Sequence, residues 1–119
     1  MKNYKNIKVW EKSHLLTIEV YEVTKKFPKS EIFGMISQIR RAAVSIPSNI
    51  AEGCGRNGEN EFKHFLHIAL GSANELEYQI LLAYKLNYIN KNDFTQIENL
   101  VIEVKKMLSA FIKKLKADR

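Results

Sequence analysis

The sequence lacks most of what would staple or punctuate a fold. It holds one cysteine, Cys54, so no disulfide can close within the chain, and a lone thiol fits a reducing compartment. Only two prolines and five glycines interrupt its 119 residues, and three of those glycines crowd into the segment GCGRNGEN at 53–60. No apolar run approaches the ~18 residues that a membrane span requires. The opening MKNYKNIKVWEK alternates lysine with apolar residues, which is not the basic–apolar–small pattern of a secretion signal. Beyond the first eight residues there is no strand-like alternation, no low-complexity tract and no internal repeat. Acidic side chains are few, 13 against 19 basic ones, for a formal charge of +6. What remains is a chain that is 45% apolar and long enough for one domain, burying roughly 65% of its unfolded surface without staples. A single cytoplasmic domain with no membrane contact is the expectation.

The apolar residues recur at helical spacing. Residues 1–8 read as an extended lead-in. A first helix is predicted over Val9–Lys26, with Val9, Leu16, Val20, Val23 and Phe27 as its stripe and a stop at Phe27-Pro28, since proline disfavours helix in the residue before it. Ser30 reads as the N-cap of a second helix, with Glu31 in its first turn to suit the dipole. Its stripe is Ile32, Ile36, Ile39, Ala43, Ile46 and Ile50. Pro47 sits inside that stripe, where it removes a backbone donor and crowds the Ala43 carbonyl, predicting a kink. This helix ends near Gly53, and the glycine-rich segment after it is a loop. A third helix is predicted over Glu59–Tyr88, with Phe62, Leu66, Ala69, Ala73, Leu76, Ile80 and Ala83 as its seam. Gly71 costs this helix roughly 1 kcal/mol relative to alanine, which predicts close approach of a neighbouring backbone. Asn90 caps a fourth helix, with Asp93 three residues on, and Phe94, Ile97, Val101, Val104, Leu108, Phe111 and Leu115 line it. Four long amphipathic helices with short connections predict an all-α, up-down-up-down antiparallel four-helix bundle.

The outer faces are less ordinary than the inner ones. Opposite its stripe the second helix carries Ser37, Arg41, Val44, Ser45, Ser48, Ala51 and Glu52. The third carries His64, His67, Gly71, Asn74, Tyr78 and Leu82. Both are poor in charge for faces meant to meet water, so both read as covered by another subunit. Arg40 lies at the edge of the second helix's stripe. It and Arg41 could contact phosphate, but the favoured reading pairs them with carboxylates such as Glu52 or Glu75 across a helix or subunit boundary, as buried arginines usually require.

No catalytic set assembles. Glu61-x-x-His64 matches half of a di-iron bundle motif, but it occurs once and faces away from the seam. Cys54 with His64 or His67 lacks a third orienting group. Gly53-x-Gly55-x-x-Gly58 follows a helix, not the strand that a phosphate-cradling loop needs. No metal, cofactor or enzyme activity is expected. The positive charge sits mainly at the two ends: residues 1–29 hold seven lysines against three glutamates, and residues 105–119 hold six basic groups against Asp118. A solvated surface accounts for a charge of this size. A polyanion partner accounts for its clustering, with Lys2, Lys5, Lys8, Lys113, Lys114 and Lys116 as phosphate contacts.

The stretches VWEKSHLLTIEVYEVTKKFP (9–28), GMISQIRRAAVSIPSNIAEGCGR (34–56) and NEFKHFLHIALGSANELEYQILLA (60–83) resemble the four-helix bundle proteins encoded in intervening sequences of bacterial 23S rRNA genes. With the looser fourth helix, the resemblance covers nearly the whole chain. It implies a homo-oligomeric ring, characteristically of five subunits, and kinship with the nucleic-acid-binding accessory protein of diversity-generating retroelements. It implies no catalytic residues. It places Arg40, Arg41, Pro47, Asn49, Glu52, Gly53 and Arg56, with Phe62, Gly71, Ser72 and Glu75, at signature positions. The expectation is a bacterial, non-enzymatic homopentamer that binds RNA or DNA with little sequence specificity. The alternative is an adaptor that docks another protein. Residues expected at subunit interfaces or in the structural motif are Arg40, Arg41, Ser45, Pro47, Ser48, Asn49, Glu52, Arg56, Gly71, Glu75 and Tyr78.

Overall fold

A computed structural model describes the backbone of residues 3–117 and the side chains of residues 3–115. Four helices carry the described chain: α1 (Lys8–Thr24), α2 (Met35–Cys54), α3 (Glu59–Lys85) and α4 (Lys91–Ala117). Short 3-10 turns at Tyr4–Asn6 and Lys29–Glu31 precede α1 and α2. Among the described residues there is no strand, and no helix is long and apolar enough to cross a membrane. Each helix packs against its neighbours in sequence, and α4 closes the square against α1. Cross-helix pairs mark the registers: Lys26 reaches Asp93 at 3.1 Å, Lys12 reaches Glu103 at 3.5 Å, and Lys105 reaches Glu77 at 2.7 Å.

The predicted stripes meet in one core. Leu16, Val20, Ile39, Ala43, Ile46, Ile50, Leu66, Ala69, Ala73, Leu76, Ile97, Val101, Val104 and Leu108 are shut off from solvent completely. Phe94 and Phe111 are half-buried instead, Phe94 stacking on Tyr84 at 4.3 Å and Phe111 meeting Phe62 edge-on at 5.3 Å. Burying a leucine or isoleucine contributes roughly 1.5–3 kcal/mol, so these seams supply the main driving force.

The ends of the helices depart from the sequence expectation. The lead-in is a 3-10 turn rather than extended, held by a T-shaped contact of Tyr4 with Trp10, which stacks on His14. Ser30 does not cap α2. The chain makes a 3-10 turn through it, and α2 begins at Met35, whose N–H donates to Glu31 Oε1 at 3.0 Å. The same carboxylate accepts from the Tyr88 hydroxyl at 3.0 Å, which raises the Tyr88 pKa. Ile32 therefore leaves the core and stands 51% exposed. α2 runs through Cys54, one residue beyond the predicted end, and the thiol is buried rather than displayed on a loop. α3 stops before Tyr88 because Asn87 turns left-handed at φ 65°. Tyr88 N–H then returns to the Ala83 carbonyl at 2.9 Å, the closure of a Schellman motif. Asn90 does cap α4, accepting from Asp93 N–H at 2.8 Å.

Helix α2 continues past Pro47 with the missing hydrogen bond replaced from outside. Proline has no N–H to give the Ala43 carbonyl. The Thr17 hydroxyl of α1 reaches that carbonyl at 3.1 Å, sharing its one hydrogen with the Ser13 carbonyl of its own helix at 2.8 Å. Gly53 is required by close packing: a Cβ there would lie 2.8 Å from Phe62 Cδ1 and 3.0 Å from Phe65 Cβ. Gly71 is the reverse case. Among the described residues, nothing beyond its own turn of helix comes within 4 Å of where its Cβ would be, so the close backbone approach expected at Gly71 is not found.

Candidate functional site

The bundle brings the two lysine-rich segments together. The start of α1 and the end of α4 bound a groove of about 340 Å³, floored by Ile7, Met107 and Phe111, with Lys8 and Lys114 on its rims. A second hollow of about 390 Å³ on α4 adjoins it through Ala110 and is lined by Lys105, Lys106 and Lys113. Lys105 is committed to Glu77. Among the described residues Lys5, Lys8, Lys106, Lys113 and Lys114 have no ion-pair partner. Lys5 lies on the 3-10 turn that the Tyr4–Trp10 contact holds against α1. Lys2 and the Lys116 side chain lie outside the described residues. Unpaired ammonium groups beside an apolar floor attract phosphate without selecting a base.

The signature positions divide into those satisfied inside the chain and those left facing outward. Arg40 takes neither of the carboxylates expected for it. Its Nε donates to Thr24 Oγ1 at 2.8 Å, Nη2 to the Tyr21 carbonyl at 3.3 Å, and its guanidinium lies 4.5 Å over the Tyr21 ring. Glu52 is held by Arg56 one turn on, at 2.8 Å, and Arg56 also covers the Phe65 ring. Ser45 and Ser72 share a hydroxyl hydrogen bond of 2.8 Å between α2 and α3, and Asn49 donates to both the Ser45 carbonyl and its hydroxyl. Arg41, Ser48, Gly71, Glu75 and Tyr78 remain exposed. Among the described residues Arg41 has no ion pair, and Glu75 accepts a hydrogen bond from Gln79 at 3.4 Å and has no ion pair.

Around these residues lies an apolar surface wider than the charge-poor outer faces expected from sequence. Phe33, in the turn before α2, is 95% exposed, and Tyr78 on α3 is 62% exposed. Ile32, Val44, Ile68 and Leu81 are also exposed. The signal for Phe33 was its position off the stripe expected from Ile32 onward.

Glu61 and His64 are both exposed, and His64 lies against the Phe65 ring. Among the described residues no three of His, Cys, Asp and Glu gather at metal-binding distance. A cavity of about 490 Å³ beside Cys54 and Phe62 is bordered by Arg56 and Glu59.

Comparison with known proteins adds family and fold. A family model described as 23S rRNA-intervening sequence protein matches residues 5–110. A crystal structure of a protein with unknown function from the S23 ribosomal protein family of Bacteroides thetaiotaomicron VPI-5482 is similar at a TM-score of 0.82 and 32% identity. The match covers 88% of this chain and 98% of that one. No curated protein matches the chain.

Proposed function

The chain belongs to the 23S rRNA-intervening sequence protein family, and from that premise we propose that it is a non-enzymatic, cytoplasmic subunit of a homopentameric ring that binds RNA or DNA through its lysine-rich end. The observation that carries this reading is the convergence of Lys8 and Lys114 on one groove, with Lys106 and Lys113 beside it. A charge of +6 repeated around a ring gives a concentrated positive field, and binding by such a field is salt-sensitive and largely indifferent to sequence. The cross-helix pairs that join the residue just past the end of α1 to the start of α4, and the early part of α1 to the middle of α4, support antiparallel up-down packing. Kinship with the retroelement accessory proteins points the same way by analogy.

Fluorescence polarisation with a structured rRNA fragment and a scrambled RNA, at low and near-physiological salt, tests the reading. Micromolar or tighter binding to both, weakening steeply with salt, is expected. Absence of binding at low salt would make the positive charge a solubility feature and favour the adaptor alternative. Strong preference for one sequence would overturn the nonspecific mode.

A further inference from the structure

The groove between the start of α1 and the end of α4 has a lining that phosphate binding alone does not require. Besides its lysines it presents Ile7, Val9, Met107, Ala110 and Phe111, side chains without a strong hydrogen-bond donor or acceptor. Ile7, Met107 and Phe111 are half-buried and Ala110 is exposed, so part of this apolar floor meets solvent. Lys8 stands on the α1 rim and Lys114 on the α4 rim. Among the described residues neither has an ion pair. The cations continue outside the groove. Lys106 and Lys113 border the adjoining hollow, two helical turns and about 10 Å apart along α4. Helix α1 also begins in the groove, at Ile7, without a side-chain cap, and an open helix start favours a negative group.

From this pairing of an apolar floor with flanking cations we infer that the groove takes single-stranded nucleic acid, with an unpaired base against Phe111 and the neighbouring phosphates on Lys8 and Lys114. The inference rests on the nucleic-acid reading above and names the form of polyanion that suits the site. A duplex offers the wrong surface. Its base faces are stacked on one another, so it presents sugars, phosphates and base edges, and an RNA duplex keeps its major groove too deep and narrow for side chains. Against those polar groups Ile7, Met107 and Phe111 would lose water without gaining an apolar partner. An unstacked base supplies a flat apolar face, and one base on an aromatic ring tightens binding roughly 5- to 150-fold. A floor without polar groups also leaves the base unread, in keeping with binding indifferent to sequence. The groove, about 340 Å³, is at the small end of ligand pockets and takes one base at a time. Its recessed floor suits a membrane less well, because a bilayer surface is met by apolar side chains that protrude.

Fluorescence polarisation on the full chain at low salt, with a short oligouridine and a blunt RNA duplex of equal length, tests this. Charge alone favours the duplex, whose phosphates are denser and whose binding gains more from counterion release. The inference predicts the reverse, with the single strand bound roughly fivefold or more tightly. Phe111→Leu keeps an apolar side chain but removes the ring, and should erase that preference while leaving duplex binding largely unchanged. Phe111 also meets Phe62 edge-on, so a second measurement uses the wild type alone. Oligouridine carrying 4-thiouridine, irradiated in the complex, should leave adducts on Met107 or Phe111 when the digested protein is read by mass spectrometry. Failure of both RNAs to bind at low salt would overturn the nucleic-acid reading itself. A duplex bound as tightly as the single strand would overturn this inference and leave that reading standing. Adducts confined to other residues, or a preference unchanged in a folded Phe111→Leu, would overturn the placement in the groove. Tight binding of phosphatidylglycerol vesicles with no preference for single strand would reassign the groove to a membrane surface.

Discussion

Helices α2 and α4 bury equivalent stripes yet turn different surfaces outward. The exposed positions of α4 are Lys91, Asn92, Thr95, Gln96, Asn99, Glu103, Lys106, Ser109, Ala110, Lys113 and Lys114, an ordinary solvated face. On α2 and the turn before it they include Ile32, Phe33, Arg41, Val44 and Ser48, and α3 continues the pattern with Ile68, Gly71 and Tyr78. Since the inward faces are alike, folding does not explain the difference. The inner stripes specify the bundle, and on the proposed reading the outer faces divide between a surface for another copy and a surface for water and phosphate.

The largest effects should be the same on either side of that comparison. Ile46→Ala on α2 and Leu108→Ala on α4 both remove fully buried side chains, and each should cost about 2–5 kcal/mol in urea unfolding. A loss confined to one helix would break the equivalence of the two interiors. The two glycines then sharpen the contrast within the α2–α3 layer. Gly53→Ala should destabilise by about 1–3 kcal/mol, because its Cβ meets Phe62 and Phe65. Gly71→Ala should leave the fold as stable or more so while impairing assembly, read as native mass after confirming the melting temperature. Thr17→Val should cost about 1–3 kcal/mol by leaving the buried Ala43 carbonyl unpaired. Adding Pro47→Ala restores a backbone donor to that carbonyl, so the double variant should regain much of the loss. The smallest stability change belongs to the outer face of α4. Lys113→Gln with Lys114→Gln should alter unfolding by less than about 0.5 kcal/mol. The same pair should flatten the salt dependence of duplex DNA binding by roughly one unit of slope for each phosphate no longer neutralised.

The seams were legible because each is long and strictly periodic. Phe62, Leu66, Ala69, Ala73, Leu76, Ile80 and Ala83 are all buried as read. The ends were not, because they depend on contacts distant in sequence. Glu31 reaches forward to Met35 and across to Tyr88, so the helix start expected after Ser30 lies four residues further on. Asn87 leaves the helix by adopting the left-handed region, a choice that asparagine permits but its position in the pattern does not reveal. The candidate site was half visible. Charge-poor outer faces flagged α2 and α3, and the lysine counts flagged the termini. That Arg40 turns to Thr24 and Tyr21, that Thr17 serves the proline, and that Lys8 meets Lys114 across a groove needed the bundle's register.

Hydroxyl-radical footprinting read by mass spectrometry tests the division of faces in a single experiment. The account predicts that Phe33 and Tyr78, 95% and 62% exposed in the isolated chain, react slowly in the free protein at micromolar concentration and faster on dilution. Met107 and Phe111, in the lysine-rimmed groove, should react in the free protein and be shielded only when RNA is added. Rapid oxidation of Phe33 and Tyr78 at every concentration would contradict it, leaving the apolar face open to solvent and the two outer surfaces without separate tasks.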